Sequence, residues 1–180
     1  KDIDKQVVAI EQNAEEVASE KTGRTGALPY IGEAWYRHTF SLPNFNTNKR
    51  AIILFEGAMS QPEVFINGQK VGEWKYGYAY FYFDITDYIS TTQENTLAVK
   101  LSNQGESSRW YPGAGLYRNV SIIIKNKESI DQWGTFITTP LITQEIAKVN
   151  IKTKVSGEDL RMVTTIFDAD GYKVNSNETA

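Results

Sequence analysis

From Ala34 onward the chain alternates. In residues 34–43 (AWYRHTFSLP), Tyr36, His38, Phe40 and Leu42 fall on one side, and Trp35, Arg37, Thr39 and Ser41 on the other. That period of two is the mark of a strand with two unlike faces. Residues 51–57 (AIILFEG) form a short continuous apolar run, which predicts a buried strand. Val64-Phe65-Ile66 leads into Asn67-Gly68, and Gln69-Lys70-Val71 returns. An Asn-Gly pair predicts a hairpin here, because tight hairpin turns need positive φ at both central positions. Further strands are predicted over residues 78–83 (closed by Asp84-Ile85-Thr86-Asp87), 97–101 and 120–124. Many short strands bounded by turns predict an antiparallel sandwich or jelly roll.

Two stretches break this pattern. In residues 7–20 (VVAIEQNAEEVASE), Val7, Ile10, Ala14, Val17 and Ala18 come near helical spacing, which predicts a short helix or a loosely ordered arm. Near residue 145 a second alternating unit begins: Ala147, Val149, Ile151, Thr153 and Val155 against Lys148, Asn150, Lys152 and Lys154. Residues 160–167 supply a partner strand, and Asp170-Gly171 a turn. Three strands cannot close a sandwich of about seven, so the chain is expected to stop inside this unit. The expected organisation is an arm over 1–29, a sandwich over 30–144 and an incomplete second one over 145–180.

Composition narrows the function. Aromatic residues make up 12% of the 180, a supply that suits half-buried pleats and the C–H faces of sugars. A net charge of -3 without a long basic run argues against nucleic acid as a partner. There is no Cys, which excludes disulfides and thiolate metal sites, and no apolar run is long enough for a membrane-spanning helix. His38 is the single histidine and lies in a predicted strand, where a structural or rim role is expected. No nucleophile elbow, P-loop or dinucleotide fingerprint occurs, so neither cofactor nor metal is expected. Asp84 and Asp87 sit in a turn, where Asp caps backbone N–H groups. Glu56 reads either as a ligand contact or as an ion-pair partner. No acid–nucleophile pair of the kind glycoside hydrolysis needs is visible.

The segment richest in chemistry is residues 103–118, NQGESSRWYPGAGLYR. A strand runs into a polar stretch containing Ser108, then Arg109, Trp110 and Tyr111, then a Pro-Gly loop whose Gly113 and Gly115 suit positive φ or close approach. The guanidinium offers a planar fork for hydroxyls, and the rings offer stacking surfaces. An equally open reading makes Trp110 a core plug and Arg109 the partner of a carboxylate. Arg109 is expected on a projecting loop at one end of the sandwich.

These residues also carry a resemblance. Gly32-Glu33-Ala34-Trp35-Tyr36-Arg37, with Phe40 and Pro43, resembles the G-x-x-W-Y-R-x-x-F-x-x-P opening of family 2 glycoside hydrolases. Phe55-Glu56-Gly57, Val64-Phe65-Ile66-Asn67-Gly68, Gly77-Tyr78, Phe83-Asp84-Ile85-Thr86 and Asn95-Thr96-Leu97-Ala98-Val99 follow in family order. The run from Ser108 to Arg118 resembles the S-R-W-Y-P-G-x-G-I-Y-R segment of that family's β-galactosidases. The resemblance implies a jelly-roll sugar-binding domain, then an immunoglobulin-like domain, then a (β/α)8 barrel that carries the catalytic glutamates. It makes Arg109, Trp110, Tyr111 and Ser108 candidate sugar contacts. Trp35, Tyr36, Arg37, Glu56, Asn67, Gly68, Asp84, Gly113, Gly115 and Arg118 become structural motif positions. The upstream strand and L-P-H-D-W segment usual in the family are missing, and Asn177-Glu178, a literal match to the barrel's acid/base motif, has no barrel around it.

The expectation is therefore all-β: a jelly-roll sandwich followed by the incomplete start of an immunoglobulin-like one. It belongs to a retaining β-galactosidase-like enzyme, is inactive alone, and has the barrel and a β-galactoside as partners. A periplasmic or secreted setting follows by family analogy only. Alternatives are a self-sufficient carbohydrate-binding module using Trp74, Tyr76, Tyr78, Trp110 and Tyr111, a purely structural sandwich, or a mannoside, glucuronide or rhamnoside as substrate.

Overall fold

The structure, a computed structural model, describes residues 32–103 and 115–179. The predicted N-terminal helix and Ser108, Arg109, Trp110, Tyr111 and Gly113 lie outside them. The described residues are all-β apart from one turn of 3-10 helix at Thr86–Tyr88. The chain divides into two compact units, Lys1–Ile124 and Lys125–Ala180.

The first unit holds two antiparallel sheets. One contains, in order, β1 (Gly32–Phe40), β6 (Asn95–Asn103), β3 (Glu63–Ile66) and β4 (Gln69–Glu73). The other contains β5 (Phe81–Asp84), β2 (Lys49–Phe55) and β7 (Val120–Asn126). The alternation read in the sequence selects the faces. Val64 and Ile66 of β3 and Leu97, Val99 and Leu101 of β6 are buried, as are Ala51, Ile53 and Phe55 of β2. Together with Phe81 and Ile85 they form the core. Each of the Val, Leu, Ile and Phe side chains among them contributes roughly 1.5–3 kcal/mol by leaving water. Ile52 is buried as well as Ile53, so β2 is covered on both faces there, as its apolar run predicts. The aromatic run 78–83 enters the sheet only at Phe81; its first three residues belong to the loop that ends the sandwich.

Among the described residues, nothing closes the sandwich between β1 and β7. A cleft of about 870 Å³ is lined there by Tyr36, His38 and Phe40 on one side and Leu116, Val120 and Ile122 on the other. His38 is exposed on this rim.

Two polar junctions hold the turns. Asn67 and Gly68 both have positive φ, 52° and 80°, as a type I′ hairpin requires. The Asn67 side-chain amide donates to the Tyr88 carbonyl and to Asn95 Oδ1, both at 2.8 Å, and its oxygen accepts the Thr96 N–H at 2.9 Å. Asn95 is fully buried, and it accepts from Ser90 N at 2.7 Å and donates to Ser90 O at 2.9 Å. The second junction is at Asp84. One carboxylate oxygen accepts from the Thr86 N–H and hydroxyl, the other from Arg50 Nε and Nη2 at 3.0 and 2.9 Å. The Thr86 hydroxyl in turn accepts the Ala51 N–H at 3.0 Å, tying β5's exit to β2.

In the second unit, β8 (Ser129–Ile142) pairs with β9 (Ala147–Ser156), and β10 (Met162–Phe167) with β11 (Lys173–Thr179). The sequence pattern places this unit's start near residue 145, but β8 already belongs with β9. Register shifts after Ile130 and Thr138, and a positive φ at Trp133, interrupt β8's alternation. Asp168 Oδ1 accepts the Asp170 and Tyr172 N–H groups and closes the β10–β11 turn. Glu178 lies on β11 in a forked ion pair with Arg161, at 2.6 and 2.7 Å.

Two outcomes are expected. Asn95→Ala strands buried polar groups of Ser90 and Asn67, and should cost about 2–4 kcal/mol in urea denaturation. For Asp84, burial raises the carboxyl's pKa, but the Thr86 and Arg50 hydrogen bonds outweigh it and hold the pKa below its ordinary 3.8. A depressed carboxyl stabilises the fold above its unfolded pKa and loses that contribution as pH falls through the folded one. The wild-type advantage over Asp84→Asn in the urea midpoint should therefore be full at neutral pH and shrink below about pH 4.

Candidate functional site

At one end of the sandwich three connections meet: the turn after β2 (residues 56–62), the link from β4 to β5 (74–80), and the segment from the end of β6 to β7 (103–119). Backbone bonds lash them together. Met59 and Gly115 exchange a pair of bonds at 3.0 and 2.8 Å. Ser102 N donates to Ser60 O at 2.9 Å, and the Ser60 hydroxyl donates to Ser102 O at 2.5 Å. Trp74 N donates to Pro62 O at 3.0 Å, and Glu56 N to Asn119 O at 3.0 Å. Both flanks of residues 103–114 are thus fixed to the same short segment, Met59-Ser60.

The side chains at this end are aromatic. Tyr76 and Tyr78 meet edge to face with centroids 5.8 Å apart, and burial raises the Tyr78 hydroxyl's pKa. The Arg118 guanidinium stands 6.0 Å above the Tyr80 ring. Tyr117 donates its hydroxyl to the Gly77 carbonyl at 2.7 Å. Close approach by these rings explains the glycines. A Cβ on Gly57 would lie 2.5 Å from the Tyr117 hydroxyl oxygen, and one on Gly115 would lie 2.8 Å from that of Tyr36. Gly115 also has φ 121°, which side chains disfavour. Glu56 accepts from Asn119 Nδ2 at 3.3 Å. Among the described residues no group of three or more carboxylates or histidines could hold a metal.

The domain that carries this end has known relatives. Residues 13–126 match the sugar binding domain of glycosyl hydrolases family 2. The chain belongs to that family. A β-galactosidase of Bacteroides ovatus is 37% identical over 155 residues, which cover 83% of this chain and 18% of that protein. A β-glucuronidase of Formosa agariphila is 30% identical over 169 residues, covering 79% and 17%. The crystal structure of a β-glycosidase from Bacteroides vulgatus superposes with a TM-score of 0.76 at 28% identity, covering 91% of this chain and 21% of that one. The chain therefore spans about a fifth of the length of the relatives it matches.

Within this family 2 domain the motif positions have visible work. Trp35 is on the outer face of β1, its ring 5.5 Å from Phe65. Arg37 lies on the same face, opposite Ala98. Tyr36 points the other way, against Gly115. Asn67, Gly68 and Asp84 make the two junctions described above. Sequence reasoning missed Met59 and Ser60 and gave Tyr117, part of the family block, no role of its own; the partners of all three lie 40 or more residues away.

Tyr117→Phe should cost about 1 kcal/mol, the net worth of one hydrogen bond. Gly57→Ala should cost more, since the methyl displaces the ring. Paired with Tyr117→Ala, the Gly57→Ala cost should shrink, so the double variant in a denaturation cycle falls short of the sum of the two singles.

Proposed function

We propose that this chain is the non-catalytic region of a longer, retaining family 2 glycosidase that acts on a terminal β-galactoside or a related glycoside. It supports a (β/α)8 barrel of the same parent chain and helps wall that barrel's sugar pocket. The observation that carries this reading is the double attachment of residues 103–114 at the aromatic end, through Ser102 and Gly115. Ser108, Arg109, Trp110 and Tyr111 lie between those two anchors. A guanidinium can donate two parallel bonds to adjacent ring hydroxyls, an indole or phenol ring can cover the sugar's C–H face, and a serine hydroxyl can do either half of a hydrogen bond. Contacts displayed from a rigid scaffold orient a sugar without large ordering cost.

The acid and nucleophile must come from the rest of the parent chain. Asp84 is engaged with Thr86 and Arg50, Glu178 with Arg161, and Glu56 with Asn119, so none is poised as a proton donor beside a second carboxylate. A β-galactoside is favoured over a glucuronide because the segment ending at Arg118 resembles the β-galactosidases.

In the parent enzyme, Arg109→Ala should lower kcat/KM for nitrophenyl β-galactoside roughly 10- to 100-fold while the thermal melt stays cooperative. The purified 180-residue chain should not turn the substrate over. Full activity of the variant together with a lost melt would make Arg109 a structural residue and end this reading.

A further inference from the structure

The tip of the β3–β4 hairpin carries a chemical liability as well as a turn. Asn67-Gly68 is the only Asn-Gly pair in the 180 residues. Glycine has no Cβ, so its backbone nitrogen can close on the amide carbon of the asparagine before it. That attack forms the bond from Gly68 N to Asn67 Cγ and breaks the bond from Cγ to Nδ2. The Gly68 N–H proton passes to solvent base, and Nδ2 takes up a proton and leaves as ammonia. Water then opens the succinimide ring at either carbonyl. The product is aspartate, or isoaspartate with the main chain rerouted through the side chain. One water enters and one ammonia leaves.

Burial does not protect this pair. Asn67 and Gly68 are both exposed, and a Cβ built on Gly68 meets nothing within 4 Å. Hydrogen bonding does protect it. The Asn67 amide gives its hydrogens to Tyr88 O and Asn95 Oδ1, and its oxygen holds the Thr96 N–H. Backbone groups fix which way round the amide sits, since the Thr96 N–H only donates and the Tyr88 carbonyl only accepts. The Asn67 backbone N–H also donates to Thr96 O, at 2.9 Å. Ring closure needs the side chain and the Asn67 ψ to rotate. The three side-chain bonds resist the first rotation, and the pairing of Ile66 with Gln69 resists the second.

We propose that Asn67-Gly68 is a conditional modification site: closed to succinimide formation while the junction with Asn95 is intact, open to it when the hairpin unfolds, and a one-way mark once it has reacted. The product cannot rebuild the junction. A carboxylate has no hydrogen to donate, so it sets its charge against the Tyr88 and Asn95 oxygens that accept from Asn67 in the fold. Asn95 cannot turn its own amide to compensate, because Ser90 N–H and Ser90 O hold both of its ends. Isoaspartate adds a main-chain carbon to a two-residue turn whose length sets the register of β3 on β4. A chain that stays unfolded long enough to react is thereby hindered from returning to the same fold.

The test incubates the 180-residue chain in mildly alkaline buffer across a urea series, with unfolding followed by the fluorescence of its four tryptophans. Peptide mapping by mass spectrometry locates the conversion of amide to acid. A synthetic peptide of residues 63–73 gives the unprotected rate at each urea concentration. Conversion at Asn67 should rise along the unfolding transition. In the folded chain it should be about tenfold or more slower than in the peptide, because each bond that must open first slows the attack. Gly68→Ala in the peptide should slow conversion, as attack by the backbone nitrogen requires. Asn67→Asp, which imitates one product, should lower the chain's urea midpoint or abolish its transition. The fraction that refolds on dilution should fall as conversion proceeds. Equal rates in the folded chain and the peptide overturn the protection. A wild-type midpoint in Asn67→Asp, or full refolding of converted chains, overturns the one-way mark.

Discussion

The first unit turns on one buried amide. Asn95 is the only buried polar or charged side chain among the described residues, and it sits at the entry of β6, the strand between β1 and β3. Its oxygen and nitrogen hold Ser90 from both sides, and through Asn67 it reaches the tip of the β3–β4 hairpin. A strand slipped by one residue would exchange its buried and exposed faces. Asn95 resists such a slip, because only one register brings its amide to the Asn67 and Ser90 groups together. The apolar core supplies most of the driving force, and this polar junction selects one arrangement of it.

With the register fixed at that end, the opposite end is free to specialise. The Asn95 junction and the Asp84 clamp occupy the turns at one pole, where side-chain oxygens are consumed by backbone N–H groups. At the other pole the backbone is satisfied largely by itself, through Met59, Ser60, Ser102 and Gly115. Tyrosines, a tryptophan and an arginine are thereby left to face outward. The side chains at this pole are thus not consumed by the backbone's own requirements.

Much of the fold was legible because its signals are local. Period two marked β1, β6 and β9, the continuous apolar run marked β2, and Asn67-Gly68 marked its hairpin. The aromatic run 78–83 misled over its first half, since exposed tyrosines at a sandwich end repeat with the same period as those on a strand. Strand β8 escaped notice for a different reason. Two register shifts and a left-handed Trp133 break its alternation, so no window of it reads as one strand. At the site, the family motifs pointed to the segment around Arg109. Of the residues that bond across its base, Gly115 was a motif position, whereas Met59, Ser60 and Ser102 did not stand out. Gly57 needs to be glycine because of Tyr117, which lies 60 positions further along, and no local pattern carries such a dependence.

The shared anchor at Met59-Ser60 has a consequence for how such domains diversify. A segment whose two ends are clamped to one point is already a closed ring, and the entropy of closing it has been met by the scaffold. Lengthening the ring then costs little, about 0.6 kcal/mol for each doubling. Sequence and length between Ser102 and Gly115 can therefore change while the sheets, their register and their core stay as they are. The domain behaves as a socket, into which evolution or an engineer can fit segments of different length.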